Sequence, residues 1–110
     1  MNDSLARTLT AIADPTRRAI LDRLAQGPAR VTAIAAPFAM SLNAVSKHIK
    51  VLEEAALVRR TKQGREHTLE LQPAPLREVA RWATRYEREW SERYDRLDAF
   101  LNPPTKEEPR

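Results

Sequence analysis

Met40 to Leu57 reads M-S-L-N-A-V-S-K-H-I-K-V-L-E-E-A-A-L, and this stretch decides the fold. Val45, Ile49 and Leu52 recur at the three-to-four spacing of a buried helical stripe, with Leu42 extending it towards the start. Ser41 stands at the N-cap position, its hydroxyl placed to accept from an otherwise unpaired backbone N–H of the first turn. The remaining positions are unusual for an ordinary surface helix. Asn43, Ala44, Ser46, Lys47, His48 and Lys50 are small, hydrogen-bonding or basic, and acid appears only at the far end, as Glu53 and Glu54. A helix lying in the major groove of DNA needs such a face: slim side chains near its N-terminus, donors and acceptors for base edges, and cations for phosphates. The plainer alternative is a solvated amphipathic helix, and the flanking segments weigh against it.

Upstream, Ser4 to Ile12 reads as a short helix with Leu5, Leu9 and Ile12 on one side. It stops at Asp14-Pro15, where Asp14 suits a cap and Pro15 the first position of a second helix. That helix runs to about Gln26, turns Ile20, Leu21 and Leu24 inward, and ends at Gly27-Pro28. Arg17 and Arg18 occupy its first turn, where the helix dipole disfavours cations. A phosphate contact would relieve that conflict, and simple exposure is the alternative. Thr32 is expected to cap a short third helix over Ala33–Ala36, with Phe38 and Met40 as apolar anchors and Pro37 limiting its length. Two short helices joined by a tight connection, the second bearing slim polar residues, form a helix-turn-helix pattern.

Downstream of Leu57 the period changes to two. Leu57–Lys62 and Arg65–Leu71 flank Gln63-Gly64, and the second run alternates His67, Leu69 and Leu71 against Glu66, Thr68 and Glu70. This predicts a β-hairpin in which Gly64 supplies a positive φ. Lys62 and Arg65 bracket its tip, as cations would in a wing laid along a DNA backbone or into the minor groove. Pro73-Ala74-Pro75 then opens the longest element, a helix to Leu101. Its apolar seam is Leu76, Val79, Ala83, Tyr86, Trp90, Tyr94, Leu97 and Leu101, a heptad-like spacing with one stutter. Such a helix is roughly 39 Å long, more stripe than the rest of the chain can cover. It is therefore read as a dimerisation helix, with the first helix beside it. Residues 102–110 are expected to be a disordered tail.

Composition sets the bounds. The 110 residues suit a single domain with one modest core, residues 1–101. No apolar run approaches the roughly 20 residues of a membrane span, and the N-terminus lacks a secretion-signal pattern. No membrane partner and a cytoplasmic location are therefore expected. There is no cysteine, which excludes disulfides, thiolate zinc sites and thiol catalysis. Between Ser41 and Arg65, six cations stand against two acids, a net of +4 that equals the charge of the whole chain. A basic balance concentrated in one quarter of a small domain points to a polyanion. No nucleophile–base–acid set, glycine-rich phosphate loop or paired acids are discernible, so the protein is not read as an enzyme.

Three blocks together resemble one family: Leu5–Leu24 (L-A-R-T-L-T-A-I-A-D-P-T-R-R-A-I-L-D-R-L), Val31–Val58, which contains S-L-N-A-V-S-K-H-I-K-V-L, and Arg59–His67 (R-R-T-K-Q-G-R-E-H). The pattern is similar to the ArsR/SmtB family of small bacterial winged-helix repressors, over roughly Leu5 to Leu101. The resemblance implies a homodimer on a palindromic operator, commonly ahead of its own operon, released by an inducer where one exists. It also marks departures. Metal-sensing members carry a Cys-x-Cys type motif before the recognition helix, where this chain has Val31–Ala36, and others bind zinc through histidines of the last helix, where this chain has none. His48 and His67 lie elsewhere, so no metal or other cofactor is expected, and any inducer is unknown.

The expected fold is therefore mainly α with a small β-hairpin wing, a winged helix-turn-helix dimeric through its terminal helices: recognition helix 41–56, wing 57–71, dimerisation helix 75–101. Candidate DNA contacts are Arg17, Ser41, Asn43, Ala44, Ser46, Lys47, His48, Lys50, Arg60, Lys62, Gln63, Gly64 and Arg65. Asn43, Ser46 and Lys47 form the preferred base-reading and phosphate set, with His48 flanking it. Candidate dimer residues are Leu5, Leu9, Ile12, Leu76, Val79, Ala83, Tyr86, Trp90, Tyr94, Leu97 and Leu101. The alternative function is a protein-interaction module using the long aromatic helix, with only non-specific DNA binding.

Overall fold

The computed structural model describes residues 3–102. Along them run α1 (Asp3–Ile12), α2 (Pro15–Leu24), β1 (Ala29–Arg30), α3 (Val31–Ala35), α4 (Leu42–Glu54), β2 (Val58–Gln63), β3 (Glu66–Leu71) and α5 (Ala74–Leu101). The chain divides into two compact units, one up to Val79 and one from Ala80 onwards, so the boundary falls within α5. Of the expected tail, 103–110 lie outside the described residues.

In the first unit the core forms where the helical stripes and the sheet converge. Val45, Ile49 and Leu52 of α4 are completely buried, in one cluster with Ile20, Leu24, Ile34, Leu57 and Leu69. Burial of this kind is worth about 2 kcal/mol per large aliphatic side chain. Leu42 does not belong to the stripe: it is 53% exposed and lines a groove against the hairpin instead. Thr8 is buried on α1, its hydroxyl donating to the Ser4 carbonyl at 3.0 Å, so the polar atom is satisfied within the helix.

Two helix starts follow the sequence. Asp14 is extended (φ −91°, ψ 131°) and accepts from the Arg17 backbone N–H at 3.0 Å, with Pro15 at the head of α2. Ser41 accepts from the Ala44 N–H at 3.0 Å and caps α4. The start of α3 differs from expectation. Its cap residue is Arg30, with no side-chain capping bond, and Thr32 lies inside the helix. The reason is β1, a two-residue strand that pairs Ala29 with Leu69 and Arg30 with Thr68 and delivers an extended chain straight into the helix. Phe38 packs against the core as expected, whereas Met40 is exposed.

The sheet is antiparallel with strand order β1-β3-β2. The β2–β3 pairing runs from Val58↔Leu71 to Gln63↔Glu66, which leaves Gly64-Arg65 as the two-residue loop, one position later than Gln63-Gly64. Gly64 takes φ +63° and Arg65 does not take a positive φ. A positive first central residue alone is the pattern of a type II′ hairpin turn, which matches the strand twist. In the second unit, Tyr86, Trp90, Tyr94, Leu97 and Leu101 are all about half exposed or more. Trp82 meets Tyr86 edge-on at 5.5 Å, and Arg93 lies 5.7 Å from the Trp90 ring centroid.

The C-terminus of α4 carries one strained residue. The Ala56 N–H donates to the Glu53 carbonyl and the Leu57 N–H to the Leu52 carbonyl, both at 2.9 Å, the paired bonds of a Schellman cap. The left-handed position usually taken by glycine is held by Ala56, at φ +60°. Its Cβ makes that conformation costly. Ala56→Gly is therefore expected to raise stability by about 0.5–1 kcal/mol, the relief being partly offset by glycine's unfolded-state entropy. The urea midpoint should rise with an unchanged slope; a midpoint that stays or falls would show that Ala56 is not strained.

Candidate nucleic-acid interface

Burial of one side of α4 dictates what the other side presents. At 100° per residue, Asn43, Lys47 and Lys50 fall within an arc of about 60°, opposite the stripe of Val45, Ile49 and Leu52, and all three are exposed. Ser46 borders this arc and is half-buried, as is Ala44 on the other side, while Ser41 is exposed at the helix start. The face is narrow-chained near the N-terminus and cationic along its length, with Glu54 at its end. Such a surface offers hydrogen-bonding groups to base edges and charge to phosphates.

His48 points away from that arc, towards the α1–α2 corner. Its Nδ1 lies 3.2 Å from Arg17 Nη1, which donates to it. Asp14 Oδ2 is 3.8 Å from the same nitrogen. The other Arg17 donors reach the Ala11 carbonyl at 2.7 Å and the Thr10 carbonyl at 3.1 Å, and Arg18 reaches the Ile12 carbonyl at 2.8 Å. These carbonyls lie at the negative end of α1, and that of Thr10 also accepts from the Ala13 N–H at 3.2 Å. The dipole conflict in the first turn of α2 is thus balanced within the protein.

The hairpin tip is exposed at Lys62, Gln63, Gly64 and Arg65. Arg60 lies apart from these cations. Its Nε and Nη2 form a two-point bond to the Glu53 carboxylate at 3.1 and 2.9 Å, and its Nη1 donates to His67 Nδ1 at 2.7 Å. Hydrogen bonding to Glu53 holds the guanidinium above its ordinary pKa. A groove of about 480 Å³ separates α4 from the hairpin, and it brings Ser46, Arg60 and Arg65 together with Arg30, Thr32 and Leu42. Neither Arg30 nor Thr32 is among the DNA contacts expected from sequence, where Thr32 is expected only as a helix cap. Only the pairing of β1 with β3 carries them to this groove, and no local periodicity signals it. A second depression of about 610 Å³, between α1 and the end of α4, holds none of the singled-out residues.

Of the apolar positions expected at a dimer interface, Leu5, Leu9 and Ile12 are half-buried and Ile12 packs against the core, as does Leu76. Val79 is half-buried, and Ala83, Tyr86, Trp90, Tyr94, Leu97 and Leu101 are exposed. Among the described residues no cluster of His, Asp or Glu is grouped to hold a metal ion, and no helix is long and apolar enough to cross a membrane.

Three antiparallel strands behind a helix-turn-helix pair, with a hairpin beside the second helix, make a winged helix-turn-helix. A helix-turn-helix domain family matches residues 12–61. The HTH-type transcriptional regulator Rv2034 of Mycobacterium tuberculosis is 44% identical over 70 residues, 64% of this chain and 65% of the regulator, so the match spans just under two thirds of that relative. The crystal structure of an ArsR family transcriptional regulator, RHA00566, superposes with a TM-score of 0.78 at 40% identity, covering 81% of this chain and 92% of that one. The homodimeric winged helix-turn-helix DNA-binding domain Mb0332 from Mycobacterium bovis superposes with a TM-score of 0.63 at 28% identity, covering 82% and 84%. The chain belongs to the ArsR family of transcriptional regulators.

The α1–α2 corner yields a pH-dependent expectation. The Arg17 backbone N–H holds the Asp14 carboxyl below its ordinary value of 3.8. A depressed carboxylate stabilises the fold fully above its unfolded-state pKa and loses that contribution as pH falls through the folded-state value. Asp14→Ala should therefore lower the unfolding temperature at pH 7, and the gap to the unmodified protein should narrow towards pH 3. A gap of the same size at both pH values would show that the cap acts without its charge.

Proposed function

We propose that the chain is a metal-independent transcriptional repressor that binds, as a cytoplasmic homodimer, a palindromic operator near its own operon. The observation that carries this reading is the exposed face of α4, where Asn43, Lys47 and Lys50 align opposite a fully buried stripe. In this reading α4 enters the major groove. Asn43, Ser46 and Lys47 meet base edges and the nearest phosphates, with Ser41 and Ala44 allowing close approach. Lys50, Lys62, Gln63, Gly64 and Arg65 follow the backbone, and Arg17 and His48 flank the set.

Membership of the ArsR family supports DNA as the partner, and the homodimeric state of Mb0332 supports a second copy of this chain. The half-exposed aromatic face of α5 supplies apolar surface for that copy. The lack of cysteine, with both histidines held by arginines, supports metal independence. Two recognition helices related by a dyad would reach half-sites about 34 Å apart, one turn of DNA.

Fluorescence anisotropy against duplex from upstream of the protein's own gene, with a scrambled duplex as control and chelator present, tests the reading. Site-preferring binding is expected, and equal weak binding to both duplexes would overturn it. Lys47→Ala should weaken binding to every sequence and reduce the salt slope by about one unit. Asn43→Ala or Ser46→Ala should cost about 1–3 kcal/mol at the preferred site and little elsewhere.

The dimer is tested separately by sedimentation. Tyr94→Ala or Trp90→Ala should raise the dimer dissociation constant by roughly 30-fold or more, as loss of an aromatic anchor does. A stable monomer of the unmodified chain at micromolar concentration would remove the dimeric reading.

A further inference from the structure

We infer that Arg60 is a positioning residue rather than a phosphate contact, and that Glu53, Arg60 and His67 act as one clamp setting the angle of the wing against the recognition helix. The inference rests on the DNA-binding reading above and adds a specificity device to it. Its basis is how little else fixes the hairpin. In β2 only Val58 is buried and Arg60 half-buried, and every residue from Thr61 onwards is exposed. In β3 the last fully buried residue before the tip is Leu69. β1 pairs with β3 at Leu69 and Thr68, and its Arg30 adds an ion pair to Glu66 at 3.3 Å between side chains more than half exposed, a link worth about 0–1 kcal/mol. Between Leu69 or Val58 and the basic tip, then, the hairpin has no fully buried side chain.

The polar link that reaches this region from α4 is geometrically demanding. Arg60 gives two parallel bonds to Glu53, at 3.1 and 2.9 Å, and a third donor to His67 Nδ1 at 2.7 Å. Its side chain is 22% exposed and that of Glu53 29%. Three donors aimed at two different elements use the planar fork that distinguishes arginine from lysine. Glu53 lies in the last turn of α4, and its carbonyl is also held by the Ala56 N–H in the helix cap. The clamp therefore joins the capped C-terminal end of the recognition helix to both strands of the wing, and a guanidinium so engaged has no fork left for a phosphate.

The sign of one substitution separates this from a surface charge. Glu53 is an acid beside a basic face, so its removal strengthens DNA binding if electrostatics alone operate. If it positions the wing, Glu53→Gln weakens site binding. The experiment titrates the upstream and scrambled duplexes with the unmodified protein, Glu53→Gln, Arg60→Lys, the wing-tip pair Lys62→Ala with Arg65→Ala, and Glu53→Gln in that pair. Thermal unfolding confirms that each is folded at the titration temperature. Glu53→Gln and Arg60→Lys should each lose on the order of tenfold at the preferred site, although the second keeps its charge. In the wing-tip pair, Glu53→Gln should change affinity by less than about twofold, because the charged wing contacts that the clamp would misplace are gone.

Site binding by Glu53→Gln as tight as or tighter than that of the unmodified protein would overturn the clamp, as would full binding by Arg60→Lys. A tenfold loss that persists in the wing-tip pair would also overturn it. If the unmodified protein shows no site preference, the DNA reading fails, and amide exchange then judges the clamp. Glu53→Gln should speed exchange in Thr61–His67, and unchanged rates there would remove it.

Discussion

The burial of Val45, Ile49 and Leu52 is the constraint on which the rest depends. These side chains are fully enclosed, and at about 2 kcal/mol apiece their contribution is comparable to the net stability of a small domain. Exposed ion pairs among the described residues do not operate on that scale: those such as Arg59–Glu70 are worth about 0–1 kcal/mol, despite a 2.9 Å separation. The helix can therefore be seated in only one rotation about its axis. That rotation presents Asn43, Lys47 and Lys50 to solvent and turns His48 to the α1–α2 corner. The chemistry of the exposed face follows from hydrophobic packing on the opposite one.

Once α4 is seated, polar contacts refine its placement. At its start Ser41 caps the first turn, and midway along it His48 takes a hydrogen bond from an arginine that also closes the C-terminus of α1. At its far end, Glu53 receives Arg60 from the wing. Both histidines of the chain accept from a guanidinium, and each does so where two elements meet. This economy explains how a chain without cysteine holds short helices and a narrow hairpin in register. Arginine supplies several donors from one position, and the imidazole Nδ1 supplies an acceptor for one of them.

The parts of this fold legible in the sequence are those specified by local chemistry. The α4 stripe, the Asp14-Pro15 start of α2, the Ser41 cap and the alternation of β3 each involve residues within a turn or two of one another. The parts that escaped reading arise between distant segments. β1 has no periodicity of its own and exists because Leu69 and Thr68 supply pairing partners, and it displaces the expected cap of α3 from Thr32. Leu42 continues the stripe by spacing, yet it faces the groove beside the hairpin. Arg17 and Arg18 were recognisable as misplaced against their own helix dipole, but the carbonyls that balance them belong to the preceding helix. Arg60 was indistinguishable from Lys62 and Arg65 as a basic wing residue. Only the arrival of Glu53 beside it separates a structural cation from the exposed ones.

The long helix extends this argument beyond a single protomer. None of its residues is fully buried, although its seam carries tyrosine, tryptophan and leucine at core-like spacing. Three i,i+4 charge spacings, Arg85 with Glu89, Glu89 with Arg93 and Glu92 with Arg96, would add only tenths of a kcal/mol each. Among the described residues none of the three closes to ion-pair distance, and Arg93 lies over the Trp90 ring instead. Helical stability in proteins comes mainly from packing an apolar face, so a second copy of the chain is the natural source of the missing contact in the dimeric reading. The same contact would set the separation of two α4 helices. Stability of the last helix and spacing on DNA would then be a single property of the assembly, written in a seam of side chains that never approach the nucleic acid.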